Sequence, residues 1–377
     1  MKPSLKPINP CFSSGPTRKR PGWSLENLTS SLVGRSHRSE QGVKKIHEMV
    51  TLIRDVLEIP DGYYVALMAG SCTVAMEAAM WSLLGPLPVD FITYDIFGDL
   101  WAYDGTGELK LQNSRVLKAE PGFLPDLSQV NFSHDVVLTW NGTTAGVCVP
   151  DGNWIPSQRK GLVICDATSA LFAMDFPWEK MDAVAFSWQK GLGGEAAHGM
   201  LVLSPQAVER LESYTPSWPI PRVFKLSQEG SFSKRVFEGM TINTPSLLCV
   251  EDSLDALDWC KKTGGLQTLI QRSQANLKAV EEWVAATPWI DFVARDPKVR
   301  SSSSICLYFP EDPENWDLPK SVARALDQEG VAFDILGHIR SVPSLRLWGG
   351  PMVETSDLKA LLPWILWAYE KVKSNAL

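Results

Sequence analysis

The sequence has little from which to build a disulfide framework or a zinc site. Its seven cysteines, Cys11, Cys72, Cys148, Cys165, Cys249, Cys260 and Cys306, are odd in number, scattered and never spaced as C-x-x-C. Paired thiols and a metal centre are therefore not expected, and a reducing, cytoplasmic setting is. No apolar run is long enough to cross a bilayer. The first residues lack the apolar stretch of a signal peptide, since Lys2 and Lys6 stand among four prolines within sixteen residues. There is no excess of positive charge either: Lys and Arg number 36 against 43 Asp and Glu, a net charge of −7. That balance argues against nucleic acid or membrane as a partner, yet leaves room for a local basic pocket that takes a small anion. Internal repeats and low-complexity segments are missing too.

What is there is ordinary globular composition, with 45% hydrophobic and 21% charged residues in a chain of 377. That length exceeds one ordinary core and predicts two unequal domains, 1–258 and 259–377. Residues 1–24, rich in Pro, Gly and Ser, read as an extended arm rather than a packed element. Residues 40–57 carry a helical stripe of Val43, Ile46, Val50, Ile53 and Leu57. Short runs at 64–68, 90–94, 136–140, 162–166, 183–187 and 200–203 are apolar on both faces, as strands buried on both faces are. Helical stretches such as 73–84 lie between some of them. The expected fold class is α/β, layered on a largely parallel sheet. Residues 246–286 read as helix broken at Thr263-Gly264-Gly265. Beyond lies a smaller α+β unit, with strands at 304–309 and 331–335 and helices at 321–328 and 357–371.

Three segments carry chemistry. Leu162-Val-Ile-Cys-Asp166-Ala-Thr-Ser169 is an apolar run ending in an acid, which taken alone is no more than a turn cap. Phe186-Ser-Trp-Gln-Lys190-Gly-Leu-Gly-Gly194 ends a second run in a lysine followed by three glycines within four residues. A lysine just past a buried strand is out of place as a solvated residue. As a nucleophile it needs a lowered pKa and a sheltered site. Asp166 and Lys190, at the ends of successive strands, fit pyridoxal phosphate chemistry. The lysine bonds the cofactor aldehyde as a Schiff base, and the acid keeps the pyridine nitrogen protonated. The third segment, Leu67-Met-Ala-Gly70-Ser-Cys-Thr73, is strand, glycine turn and helix start. Its free N–H groups, with the Ser71 and Thr73 hydroxyls, suit a phosphate, although a plain N-cap looks the same in isolation. Trp101, shortly after the run at 90–94, is placed to stack on the cofactor ring.

Together these residues resemble the fold type I aminotransferases and, within them, the phosphoserine aminotransferase family. The resemblance runs from Phe12-Ser-Ser-Gly-Pro16 to Arg346-Leu-Trp348. Its most specific stretches are Ser36-His-Arg-Ser39, Ser187-Trp-Gln-Lys190, Ile242-Asn-Thr-Pro245 and Gly337-His-Ile-Arg340. It implies a large domain on a mostly parallel seven-stranded sheet and a smaller α+β C-terminal domain. By this resemblance Lys190 and Asp166 are catalytic, and Trp101 stacks on the ring. Ser71, Cys72 and Gln189 contact the cofactor phosphate. Thr144 lies near the ring hydroxyl, with Thr143 as the adjacent candidate. Asn243 and Thr244 reach the phosphate from a neighbouring subunit, so a homodimer with shared active sites is implied. Arg346 clamps the substrate α-carboxylate, and His37, Arg38, His338 and Arg340 bind its phosphate. The implied reaction is a ping-pong exchange of an amino group between L-glutamate and 3-phosphohydroxypyruvate, the transamination step of serine biosynthesis.

Two features depart from common members. Ile339 separates His338 from Arg340, and Gly70-Ser-Cys-Thr73 replaces a Gly-Arg pair. Hydroxyls and backbone can take over the phosphate in the second case. A serine– or alanine–glyoxylate aminotransferase would share Lys190, Asp166 and Arg346 without needing His37, Arg38 and Arg340. A desulfurase or lyase would need a mobile cysteine, and Cys306 lies within an apolar strand. A binding protein that kept only the fold would not need the whole Lys, Asp and Arg set. Glu195 and His198 read as loop structure.

Overall fold

A computed structural model describes residues 1–228 and 230–375. Helix α1 (Glu40–Val56) opens at Ser39, whose hydroxyl accepts the Gly42 N–H, and turns Ile46, Met49, Val50 and Ile53 inward. The chain then runs through β1 (Tyr64–Ala69), α2 (Cys72–Leu83), β2 (Val89–Thr93), α3 (Ile96–Tyr103), β3 (Arg115–Lys118) and β4 (Asp135–Thr139). A short ladder of β5 (Asn141–Gly142) and β6 (Val147–Cys148) follows. After it come β7 (Val163–Asp166), β8 (Ala183–Ser187), β9 (His198–Leu203) and α4 (Pro205–Ser213).

Seven strands make one sheet in the order β1-β9-β8-β7-β4-β2-β3. Only β9 runs against its neighbours; β8, β7, β4, β2 and β3 are parallel. All six expected runs are strands of this sheet. The seventh, β3, was not expected because its pattern is polar: as an edge strand, Arg115, Val116 and Lys118 face solvent.

After the small hairpin of β10 (Ser227–Gln228) and β11 (Ser231–Phe232), α5 (Leu247–Thr263) lies on α1 and buries Leu247, Val250 and Leu257 in the same core. The anticipated break falls at Gly264, at φ 120°. In α6 (Gly265–Ala285), Leu269 still belongs to the first core, whereas Val280 and Val284 belong to a second. That second core lies between an antiparallel sheet, β12 (Asp291–Phe292), β13 (Ser304–Tyr308) and β14 (Leu345–Trp348), and the helices α7 (Asp317–Gln328) and α8 (Thr355–Asn375). No helix among the described residues is long and apolar enough to cross a membrane.

Two expectations are corrected. Residues 331–335 make no regular strand: Asp334 sits at φ 57°, which interrupts any ladder, and a single bridge joins Phe333 to Cys11. The N-terminal arm is extended, but it is packed. Phe333 N–H donates to the Pro10 carbonyl (2.9 Å) and Trp348 N–H to the Phe12 carbonyl (3.0 Å). Phe12 itself is wholly buried in the second core.

Phe12→Ala should therefore cost about 3–5 kcal/mol of stability through lost burial and the cavity left behind. Leu5→Ala, 72% exposed on the same arm, should stay within about 0.5 kcal/mol. Denaturant unfolding of the two variants checks this; equal effects would mean that the arm is not packed as described.

Candidate active site

Parallel pairing brings the chemistry to one edge. Thr139 of β4 pairs with Asp166 of β7, and Asp166 with Ala185 of β8, so these strands end together. Because β1 and β8 both run against β9, β1 also ends on this edge. Gly70, Asn141, Ala167 and Gln189 thus leave the sheet side by side, where open α/β sheets bind ligands. A cavity of about 290 Å³ lies there, lined among others by Ser71, Cys72, Trp101, Asp166, Gln189 and Lys190.

Lys190 follows β8 in a tight turn closed by the Gly193 N–H on the Lys190 carbonyl (3.0 Å). Gly191 is required here, since a Cβ would stand 2.3 Å from the Leu171 carbonyl oxygen. The Lys190 ammonium donates to the Ser14 carbonyl. Burial, and then the nearby Arg346 guanidinium, push this amine down to about 8, against the pull of Asp166 and Asp95. A lysine so placed is largely neutral at mildly alkaline pH and therefore nucleophilic.

Asp166 is held by both oxygens. Thr168 N–H (3.0 Å) and the Cys72 thiol (3.3 Å) donate to Oδ1, and Trp101 Nε1–H donates to Oδ2 (3.2 Å). Trp101 thus bonds the acid through its edge. Across the cavity, Gly70 at φ 136° turns the chain from β1 into α2, a glycine-only geometry because a Cβ would strike Val74. Ser71 caps the helix by accepting the Thr73 N–H (3.4 Å). The first turn of α2 presents free N–H groups to the cavity, a natural anion site.

Of the two threonines, Thr143 lines the cavity and Thr144 does not. The Thr144 hydroxyl is taken by Asp95 (3.4 Å) and by the Ile96 N–H (3.2 Å), so it faces the start of α3. Arg346, on β14, has a buried Nε without a protein partner. His338 is lowered by burial and by the charges of Arg346 and Arg340, which places it in their company. Its loop is tied to the β5–β6 turn by the Ser341 hydroxyl on the Thr144 carbonyl (2.7 Å). Arg340 is exposed, with its N–H on His338 Nδ1 (3.3 Å). His37, Arg38, Asn243 and Thr244 do not line the cavity of their own chain; Arg38, Asn243 and Thr244 are exposed on its surface. Burial pushes the Cys306 thiol up to about 12, so it is no nucleophile.

Some residues near the site escaped sequence reasoning. Asp95 is buried at the N-terminus of α3 and pushed up to about 6, mainly by burial, against the Gly98 N–H that it accepts. Its only signal was a cap-like Asp three residues before a glycine. His198 opens β9 rather than lying in a loop, and pairs with Ala69. Burial pushes it down to about 4, and its Nε2 accepts the Ser246 N–H (2.9 Å), so it is neutral and structural. Glu195 remains in the loop, paired with Lys19 (2.8 Å).

The cofactor-free protein should capture a small aromatic aldehyde on Lys190 with a pH midpoint near 8, far below that of a surface lysine. Arg346→Gln removes a cation that disfavours the ammonium, so the midpoint should rise. Borohydride trapping followed by peptide mapping reads this; an unchanged or lower midpoint would contradict the assigned coupling.

No family model matches the chain. Over 374 residues it is 52% identical to a phosphoserine aminotransferase of Methanosarcina barkeri, a match that covers 99% of this chain and 100% of the relative. Its shape is similar to a phosphoserine aminotransferase of Cytophaga hutchinsonii, with a TM-score of 0.82 at 20% identity over 96% of this chain and 99% of that one. It is also similar to a pyridoxal-phosphate-bound phosphoserine aminotransferase of Trichomonas vaginalis, with a TM-score of 0.77 at 19% identity over 95% and 99%. At those identities the two structures speak for the fold alone. Half of all residues shared along the full length says more: the chain belongs to the phosphoserine aminotransferase family.

Proposed function

We propose that this chain is a pyridoxal-phosphate-dependent transaminase that exchanges an amino group between L-glutamate and 3-phosphohydroxypyruvate, yielding 2-oxoglutarate and O-phospho-L-serine for serine synthesis. The observation that carries the reading is the buried Lys190 amine, pushed down to about 8 at a cavity it shares with Asp166. The cavity fits the cofactor. It offers a helix N-terminus for a phosphate and a held carboxylate for a ring nitrogen. Asn141 Oδ1 and Gln189 Oε1 in its lining are buried without a protein partner, as atoms that meet a ligand are.

When bound, pyridoxal phosphate supplies an electron sink for the pair left when a Cα–H bond breaks. The chain does the rest. Asp166 holds a proton at the ring nitrogen by its negative charge. Ser71, Cys72, Gln189 and the first turn of α2 would hold the phosphate. Trp101 would cover the ring, and Thr143 rather than Thr144 would meet its hydroxyl. The neutral Lys190 amine takes the substrate Cα proton and returns it. Arg346 offers a fork for the α-carboxylate.

Arg340, His338, His37 and Arg38 would form a second anion pocket for the phosphate. The exposure of Asn243, Thr244 and Arg38 supports a homodimer in which each protomer completes its partner's site. The free cysteines support a reducing, cytoplasmic setting. We further place the division between the units near residue 258, with the cofactor lysine in the first and the Arg346 clamp in the second.

Lys190→Ala should lower turnover by more than about 10³-fold. Arg340→Ala should lower kcat/KM for O-phosphoserine by about tenfold or more and for alanine by less than about twofold, since only the first substrate loses a charge-assisted bond. Steady-state assays of both variants test this. An equal effect on both substrates would favour a small-substrate transaminase instead.

A further inference from the structure

We infer that residues 12–20 form a strap across the active site and that Thr17 is a positioning residue for Lys190, holding the lysine and Arg346 to one stretch of backbone. The inference rests on the reading of Lys190 as the cofactor lysine.

Neighbouring residues of the strap grip different parts of the molecule. The Thr17 N–H donates to the Gln189 carbonyl (2.9 Å), and its hydroxyl donates to the Lys190 carbonyl (2.7 Å). Gln189 and Lys190 lie beyond the end of β8, where the sheet no longer holds them. Thr17 is 7% exposed, so water competes poorly for these carbonyls. One residue on, Arg18 pairs with Asp357 (2.8 Å) in the first turn of α8, with both side chains buried. Asp357 also accepts the Ile8 N–H (2.7 Å), so the second core holds the strap through a buried ion pair, although the Arg18 Nε has no partner of its own. Five residues before Thr17, the Phe12 carbonyl accepts the N–H of Trp348, two residues from Arg346 on β14. On the other side, Lys19 reaches Asp252 of α5 (2.6 Å) and Glu195 (2.8 Å).

The fit around the lysine is close enough to require glycine twice. A Cβ on Gly15, at φ 156°, would stand 2.5 Å from Lys190 Nζ, and one on Gly193, at φ 67°, would stand 2.6 Å from the Arg18 carbonyl oxygen. From Phe12 to Thr17 the chain spans at most about 17 Å when extended, and Pro16 removes further freedom. Any shift of β14, and of Arg346 with it, is therefore passed to the two carbonyls that fix Lys190.

A merely structural Thr17 would change stability alone. A positioning Thr17 changes the surroundings of the amine, and three readouts on the pyridoxal-phosphate-loaded protein separate the two. Thr17→Val keeps the shape and the N–H but loses the hydroxyl donor; Thr17→Ser keeps both. In Thr17→Val, water reaching the loosened turn should raise the pH midpoint of the visible absorption change by about 0.5 or more, because water favours the charged form of the lysine-linked nitrogen. Cofactor release on dilution should speed up about threefold or more, and kcat should fall about tenfold with KM for glutamate within about twofold. Thr17→Ser should restore all three.

In the wild-type protein, the Thr17 and Gly193 amides should exchange with matched protection, since one opening frees both. A Thr17→Val protein with lowered melting temperature but wild-type midpoint and release rate would overturn the inference, and so would protection differing by more than about tenfold. Lys190→Ala separates the two levels. If that variant keeps the visible band of a lysine-linked cofactor, the underlying reading fails. If it loses the band while Thr17→Val is silent, that reading stands and the strap falls.

Discussion

Holding a lysine amine out of water costs several kcal/mol unless it is neutral, and much of this molecule is arranged around that constraint. Burial and Arg346 push Lys190 toward the neutral form, while Asp166 and Asp95 draw it back to about 8. The parallel strands β4, β7 and β8 pair in register, so the acid and the strand that leads to the lysine are fixed by the same ladder. The glycines at 191 and 193 let the turn close against neighbouring backbone. The arm shields the amine, and β14 brings in the guanidinium. Each element contributes by keeping water out or by setting the charge around one nitrogen.

What could be read from the residues follows from how burial shapes sequence. Strands covered on both faces must be apolar throughout, so β1, β2, β4, β7, β8 and β9 were visible as runs. β3, wet on its edge, carries Arg115 and Lys118 and left no such mark. The arm was legible as extended from its prolines, but not as packed, because its partners, from Gln189 to Asp357, lie far away in the chain. Lys190 and Asp166 stood out because a charged residue closing an apolar strand is unusual. Thr143 and Thr144 are chemically identical neighbours. Only the course of the β5–β6 turn separates them: Asp95 takes the Thr144 hydroxyl, whereas Thr143 lines the cavity with its hydroxyl on Ser169.

The departures from common family members also acquire a physical sense. Within the segment that replaces the Gly-Arg pair, Cys72 turns its thiol to Asp166 Oδ1 rather than outward. The helix start then relies on backbone N–H groups and on the hydroxyls beside them for its anion, with the thiol helping to aim the acid. Ile339 is 63% exposed, so the inserted residue adds no burial between His338 and Arg340. Its backbone step instead lets the Arg340 N–H return to His338 Nδ1, which keeps the imidazole beside Arg340 despite the spacing.

The central claim is that a reactive lysine works beside a pocket for a second anion. Visible absorption of the pyridoxal-phosphate-loaded protein, followed during titration with O-phospho-L-serine and separately with L-serine and L-alanine, tests it most directly. The account predicts that phosphoserine bleaches the yellow band at concentrations about 100-fold lower than either control, the margin expected from charge-assisted bonds to one phosphate. Bleaching by serine or alanine at equal or lower concentration would contradict the second pocket, and no bleaching by any of the three would contradict the transaminase itself.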